Sequence, residues 1–161
     1  MAETTIYQRH SLDDLADPWL LRSLQSWRRM ADARGRVSSG GEIDPILGDR
    51  KLVLPASTLL IVEGKSPMDF IVGWQGAQSQ AGLGKNLLGC RWGDYSDAAY
   101  AEAAAAAFIT ATDSAEITYH EVFARVGGRL FHYDRILYPI MWRGSVDMLL
   151  AVARWRSPAL H

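Results

Sequence analysis

Alternating hydrophobic and polar positions are clearest in the last third of the chain, from residue 115 to residue 156. Two alternating runs, AEITYHEVFARV and RLFHYDRILYPI, are separated by Gly127-Gly128, and a second turn at 143–145 leads into VDMLLAVARW. Glycine turns between such runs are typical of antiparallel hairpins. We therefore predict a three-stranded antiparallel meander.

The last of these strands is apolar on both faces between Met148 and Ala153. An antiparallel strand with one face in water normally alternates hydrophobic and polar residues. We therefore expect both faces of the sheet to be covered by other elements.

A helical pattern begins at Asp17-Pro18, where aspartate is a good N-cap and proline a good first helical residue. Leu20, Leu24 and Trp27 follow at spacings of four and three and form one apolar stripe. This helix is predicted to end at about Arg34, before Gly35. Its stripe must be buried on a sheet, either that of its own chain or that of a second copy.

The middle of the chain predicts a hairpin and then helices. Residues 57–63 and 69–75 are two strand-like runs, residues 76–95 are broken by glycines, and residues 96–112 are an alanine-rich helix that opens with Ser96-Asp97. The order of elements has no repeated strand–helix–strand unit, so we expect an α+β fold and not a doubly wound parallel sheet.

The domain organisation predicted from these elements is a flexible N-terminus over residues 1–16, one domain over residues 17–156 and a tail over residues 157–161. The connection from residue 35 to residue 55 is long for one domain, and Asp44-Pro45 is able to open a short helical turn within it.

Composition narrows the classes of partner. The chain has 161 residues and a formal net charge of −1, without the basic patch that nucleic-acid binding requires. Its apolar runs are far shorter than the roughly 20 residues of a membrane span. Cys90 is the single cysteine, which excludes an internal disulfide and favours a cytoplasmic location.

Four stretches of the chain together resemble one family. They are the tryptophan-bearing helix before Arg34-Gly35, the Ile43-Asp44-Pro45 stretch, FIVGWQG with GKNLLG at 70–76 and 84–89, and 133–149 with its apolar-Pro-apolar centre and Gly144-x-x-Asp147. This set, in this order over about residues 18–156, is similar to the small single-domain bacterial members of the PAS superfamily.

The resemblance implies a five-stranded antiparallel sheet with helices between the second and third strands, preceded here by the N-terminal amphipathic helix. It implies a cytoplasmic sensory or regulatory module in signal transduction, often a dimer, that binds a small ligand, a protein partner or both. A module of this kind is expected to have no output domain of its own. This chain has Gly73 where the family usually has arginine, so the ligand class of relatives is not carried over.

The candidate ligand-binding residues are aromatic side chains and histidines of the predicted sheet and its helical insertion. They are Trp74, Trp92, Tyr119, His120 and His132. The candidate surface for a homodimer is the N-terminal helix, with Trp19, Leu20, Leu24 and Trp27. His120 and His132 are not directly opposed when counted outward from the Gly127-Gly128 turn, which argues against a shared metal ion.

Two other functions compete with the sensor. One is an adaptor that mediates protein contacts without a ligand, and the other is a small isomerase-like enzyme on a curved sheet, with His132 and Asp134 as an acid–base pair. The sequence assigns no catalytic residue, no metal ligand and no required cofactor. A haem held by one histidine and a flavin adduct at Cys90 are the cofactor alternatives that PAS-like folds allow, but the motif that surrounds a flavin-binding cysteine is missing.

Overall fold

The structure is a computed structural model that describes residues 5–30, 37–38, 54–142 and 144–156. Numbered along the chain, the helices are α1 (Pro18–Met30), α2 (Ala77–Leu83) and α3 (Ala98–Ser114), and the strands are β1 (Thr5–His10), β2 (Val37–Ser38), β3 (Ser57–Val62), β4 (Phe70–Gln75), β5 (Thr118–Val126), β6 (Arg129–Trp142) and β7 (Ser145–Trp155). The predicted helix end at Arg34-Gly35, the Asp44-Pro45 turn and the tail at 157–161 lie outside the described residues.

The strands form one sheet in the order β1-β5-β6-β7-β3-β4, and each neighbouring pair in this order is antiparallel. The two residues of β2 pair in parallel with β6. The α+β class and the antiparallel sheet are therefore confirmed, although β1 makes the sheet one antiparallel strand wider than the five that we expected.

The C-terminal meander is confirmed as β5, β6 and β7. Gly127 and Gly128 join β5 to β6 with φ values of 57° and 79°, and Gly144 before β7 has a φ of 82°. Positive φ is readily available only to glycine, so these residues permit the tight turns.

The predicted helix starts are also confirmed. The Asp17 carboxylate accepts hydrogen bonds from the backbone N–H groups of Trp19 and Leu20, and the Asp97 carboxylate accepts one from the N–H of Tyr100. These bonds satisfy N–H groups that have no partner within the helix. They explain why α1 and α3 begin where the sequence places their caps.

Two hydrophobic cores lie on opposite faces of the sheet. On the inner face, α2 and α3 cover inward side chains of the strands, such as Phe131 and Leu149. On the outer face, Leu20, Leu24 and Trp27 of α1 pack against Ile136, Tyr138, Ile140, Leu150 and Val152. Both faces of β7 are thus buried, as its doubly apolar sequence predicts.

Two expectations are corrected. Residues 5–10 were expected to be flexible but form β1, because their backbone N–H and C=O groups pair with β5 at the sheet edge, which does not require apolar side chains. The second concerns the surface proposed for a homodimer. Leu20, Leu24 and Trp27 are buried in the chain's own core and Trp19 packs against it, so α1 does not offer them to a second copy.

Candidate functional site

A small cavity lies on the inner face of the sheet, between the strands and helices α2 and α3. Its volume is about 40 Å³. The wall is mostly apolar and aromatic, and the lining residues are Ala56, Thr58, Leu60, Ser79, Leu83, Trp92, Tyr100, Phe108, Tyr133, Arg135, Ala151, Ala153 and Trp155. Apolar cavities with a few polar groups are the usual form of small-molecule sites.

Among the described residues that line this wall, Arg135 is the one with a charged side chain. It lies on β6 with only 4% of its surface exposed. Its guanidinium stands over the rings of Tyr7 and Phe108, at 5.0 and 5.2 Å from their centroids, and its Nη1 donates to the Tyr7 hydroxyl at 3.1 Å. Its Nε and Nη2 are buried, and no acceptor for them exists among the described residues. A buried charge without an anionic partner is costly, so this arrangement calls for an explanation.

Three tyrosine hydroxyls form a chain that starts at Arg135. The hydroxyl oxygens of Tyr7 and Tyr133 are 3.1 Å apart, and those of Tyr133 and Tyr100 are 2.5 Å apart. Burial raises the pKa of Tyr100 and of Tyr133 well above the ordinary value. Both hydroxyls therefore keep their protons at neutral pH and remain available as hydrogen-bond donors.

The remaining polar groups of the wall come from β3, α2 and β7. The hydroxyls of Thr58 and Ser79 are 2.6 Å apart and satisfy each other. The indole Nε1 of Trp155 is buried and has no acceptor among the described residues. The Trp155 ring packs against the Tyr133 ring at 4.4 Å and is so close to Gly82 that a Cβ there would lie 2.2 Å from its Cε2. Gly82 is thus required for α2 to close over this indole.

The electrostatics of the inner face are set by Arg135. His120 lies opposite it in the register of β5 and β6. Burial, and next the charge of Arg135, lower the pKa of His120 to about 3. His120 is therefore neutral at physiological pH, and the guanidinium is the charged group of the cavity wall.

Of the five residues proposed as ligand-binding, the structure brings only Trp92 to the cavity. Its indole Nε1 donates to the carbonyl of Ala101 at 3.2 Å, which fixes the ring against α3. His120 lies on the same face beside Arg135 but does not line the cavity. Tyr119 and His132 lie on the outer face, and Trp74 is 41% exposed on β4.

His132 and Asp134, the pair proposed for acid–base chemistry, each bind a side chain of opposite charge type. His132 Nε2 lies 2.9 Å from a carboxylate oxygen of Glu121, and this hydrogen bond is the main cause that lowers the pKa of Glu121. Asp134 accepts from Nε of Arg156 at 2.8 Å and also from its Nη2. The arrangement is an ion-pair network on the outer face, away from the cavity. Among the described residues, no three histidine, cysteine, aspartate or glutamate side chains are grouped to hold a metal ion.

Sequence reasoning missed Arg135, Tyr100 and Trp155 as residues of the cavity wall. A usable signal was present at 133–137, because strand alternation places Tyr133, Arg135 and Leu137 on one face. An arginine in register with core-facing residues of a central strand is unusual, since arginine is almost never fully buried unless it is paired.

No helix among the described residues is long and apolar enough to cross a membrane. Comparison of the chain with family models, with curated proteins and with solved structures found no match.

Proposed function

We propose that this chain is a PAS-like sensory or regulatory module that binds a small ligand in the inner-face cavity. The observation that carries the proposal is the cavity itself. It lies between the sheet and the helices α2 and α3, it is apolar overall, and it holds a few buried polar groups that are able to orient a bound molecule.

The topology supports the PAS-like part of the proposal. Without β1 and β2, the sheet has five antiparallel strands, and the second of them along the chain is β4 while the third is β5. Both α2 and α3 lie between β4 and β5, at the position that the sequence resemblance implies for the inserted helices. The cavity lies beneath these two helices.

The mechanism follows from this placement. A ligand that fills the cavity stabilises the arrangement of α2 and α3 to which it binds best, and so shifts the population of helix positions. The changed surface is then read by a partner protein in the cytoplasm or by a second copy of the chain. A homodimer remains part of this proposal, with an interface other than the buried stripe of α1.

The test is a binding screen with a blocked cavity. Wild-type protein is examined by native mass spectrometry for bound mass and by thermal unfolding against a panel of small polar and apolar molecules. Ala151→Leu places a larger side chain in the lining, and Ala106→Leu makes the same change on the exposed side of α3. We expect a ligand that raises the Tm of the wild type and of Ala106→Leu but not of Ala151→Leu. A wild-type chain that carries no extra mass and responds to no compound would refute the proposal.

A second candidate function is an adaptor that binds a protein without a ligand. The small volume favours it, because about 40 Å³ is far below the roughly 300 Å³ at the lower end of ordinary ligand pockets. Under this alternative, the polar groups of the wall are satisfied by internal water, and the binding screen gives no response.

A further inference from the structure

We propose that the ligand of the cavity is a small monocarboxylate with a short aliphatic tail and that Arg135 binds its carboxylate group. This inference rests on the proposed function, since it names the chemistry of the molecule that the cavity takes. Its evidence is separate, because it comes from the charge and hydrogen-bond balance of the wall and not from the position of the cavity.

The charge balance favours an anion. Arginine remains protonated at any physiological pH, and Arg135 is buried with no carboxylate of the described residues bonded to it. Tyr7, its hydrogen-bonding partner, supplies a neutral hydroxyl. A bound anion would pair with this charge at a place where the described residues supply no counter-charge.

The unused atoms of Arg135 have the geometry that carboxylates bind. Nε–H and Nη2–H are the parallel pair along one side of the planar guanidinium, and this pair recognises carboxylates in side-on contacts. On the opposite face, Nε and Nη2 of Arg156 both donate to one carboxylate oxygen of Asp134, Oδ2. In Arg135 the same two atoms are unbonded among the described residues, and less than 1 Å² of each is accessible, so a carboxylate must displace neighbouring side chains to reach them. A carboxylate in the cavity would give Arg135 the partner that Arg156 already has.

The hydrogen-bond balance also favours an acceptor. The hydroxyls of Tyr7, Tyr133 and Tyr100 are linked by two contacts, which use two of their three hydrogens and leave one for another acceptor. The indole N–H of Trp155 is a further buried donor without an acceptor among the described residues. A wall with surplus donors is matched by a ligand that only accepts hydrogen bonds, as an ionised carboxylate does.

The size of the cavity and its apolar lining favour a small monocarboxylate over other anions. A cavity of about 40 Å³ exceeds the roughly 10–15 Å³ that one water molecule needs but admits only a few non-hydrogen atoms. The rest of the lining, including Leu60, Leu83, Phe108 and Ala151, is apolar. A phosphate or a dicarboxylate would place additional charged oxygens against these side chains, whereas a short aliphatic tail would be buried favourably.

The experiment compares charge and shape in matched compounds. Acetate, propionate and butyrate are titrated into the full chain at constant ionic strength by calorimetry, beside propionamide, a neutral analogue of propionate, and beside inorganic phosphate. We expect propionate to bind about tenfold or more tightly than propionamide, because the charged hydrogen bonds are lost with the amide. Phosphate is expected to bind more weakly than propionate.

Three variants assign the binding to Arg135. Arg135→Met removes the charge but keeps the length of the side chain, Arg135→Lys keeps the charge but loses the parallel N–H pair, and Arg125→Met is a matched control at an exposed position on β5. We expect carboxylate binding to be lost in Arg135→Met, to weaken about tenfold or more in Arg135→Lys, and to be unchanged in Arg125→Met. Circular dichroism verifies folding, and if Arg135→Met fails to fold, Arg135→Lys alone carries the test.

The outcomes separate this inference from the proposed function. Binding of propionamide or another neutral compound as tight as that of propionate would overturn the inference and leave the sensor proposal standing. Equal carboxylate binding by the wild type and the Arg135 variants, or tighter binding of phosphate, would also overturn it. Failure of the three carboxylates to bind the wild type would overturn this inference, whereas the sensor proposal is decided by its own binding screen.

Discussion

Replacement of Arg135 by methionine is expected to make the unliganded protein more stable. The substitution removes a buried guanidinium whose one hydrogen bond among the described residues goes to the Tyr7 hydroxyl. It leaves an unbranched side chain of similar length among Phe108, Tyr133 and Ala153. Methionine adapts well to irregular spaces between aromatic rings.

The magnitude follows from two opposing changes. The lost hydrogen bond and the lost stacking on Tyr7 and Phe108 are each worth about 1–2 kcal/mol. The recovered desolvation free energy of an unpaired buried ion is several kcal/mol. The free energy of unfolding should therefore rise by about 1–2 kcal/mol, which corresponds to a Tm increase of about 2–8 °C for a chain of this size.

The assay is urea unfolding followed by tryptophan fluorescence, in a chloride buffer that contains neither carboxylate nor phosphate. Arg125→Met should stay within about 0.5 kcal/mol of the wild type, since it changes an exposed side chain. Addition of propionate at about 100 times its dissociation constant should stabilise the wild type by about 2.7 kcal/mol and leave Arg135→Met unchanged. The order of the two stabilities would then reverse.

The refuting result is a loss of stability. If Arg135→Met unfolds more easily than the wild type by more than about 1 kcal/mol in the chloride buffer, the guanidinium stabilises the fold by itself. Arg135 would then not behave as an unpaired buried charge.

Three further predictions concern other parts of the fold. Gly82→Ala should lower the free energy of unfolding by about 2–3 kcal/mol, because its Cβ would collide with the Trp155 ring, whereas Ala81→Gly next to it should cost only about 1 kcal/mol. Equal losses in urea unfolding would contradict this. Trp27→Ala should cost about 3–5 kcal/mol, since the ring is fully buried 4.5 Å from that of Tyr138, and a loss below about 1 kcal/mol would show that α1 is not docked as described. His120 takes up a proton near pH 6.5 in the unfolded chain but only at about pH 3 in the folded chain, so the free energy of unfolding should fall as the pH decreases from 6.5 to 3. His120→Leu should reduce that fall, and an unchanged pH profile of stability in this variant would show that His120 is not its cause.

The parts of the fold that local signals encode were predictable from the sequence. The meander follows from strand alternation and the glycine pair at 127–128, and the starts of α1 and α3 follow from Asp17 and Asp97, whose side chains cap helices within three residues of themselves. The burial of both faces of β7 follows from its apolar run. In each case the determining contacts are short in sequence or repeat along one element.

The cavity was not predictable because its contacts are long-range. Arg135 bonds to Tyr7, 128 residues earlier, and Tyr133 bonds to Tyr100, 33 residues earlier. No local sequence pattern predicts that these side chains are in contact. His120 and His132 were chosen as ligand-binding candidates by residue type, but the strand face on which a side chain lies determines whether it reaches the cavity. His132 lies on the outer face, where Glu121 binds it.

Strand β1 was likewise missed because its residues are mostly polar. Its pairing with β5 satisfies backbone groups that would otherwise leave the sheet edge open. The residues of β1 alone do not predict this pairing, since the partner strand lies more than a hundred positions further along the chain.

The placement of Tyr7 on β1 has a practical consequence. This side chain accepts the hydrogen bond of Arg135 and begins the hydroxyl chain that leads to Tyr100 in α3. Any shortened version of the protein that omits residues 1–10 as an unstructured leader would uncover the edge of β5 and also take away the acceptor that Arg135 has in the fold. Ligand measurements made on such a version would describe a different cavity, so binding studies should begin from the full N-terminus.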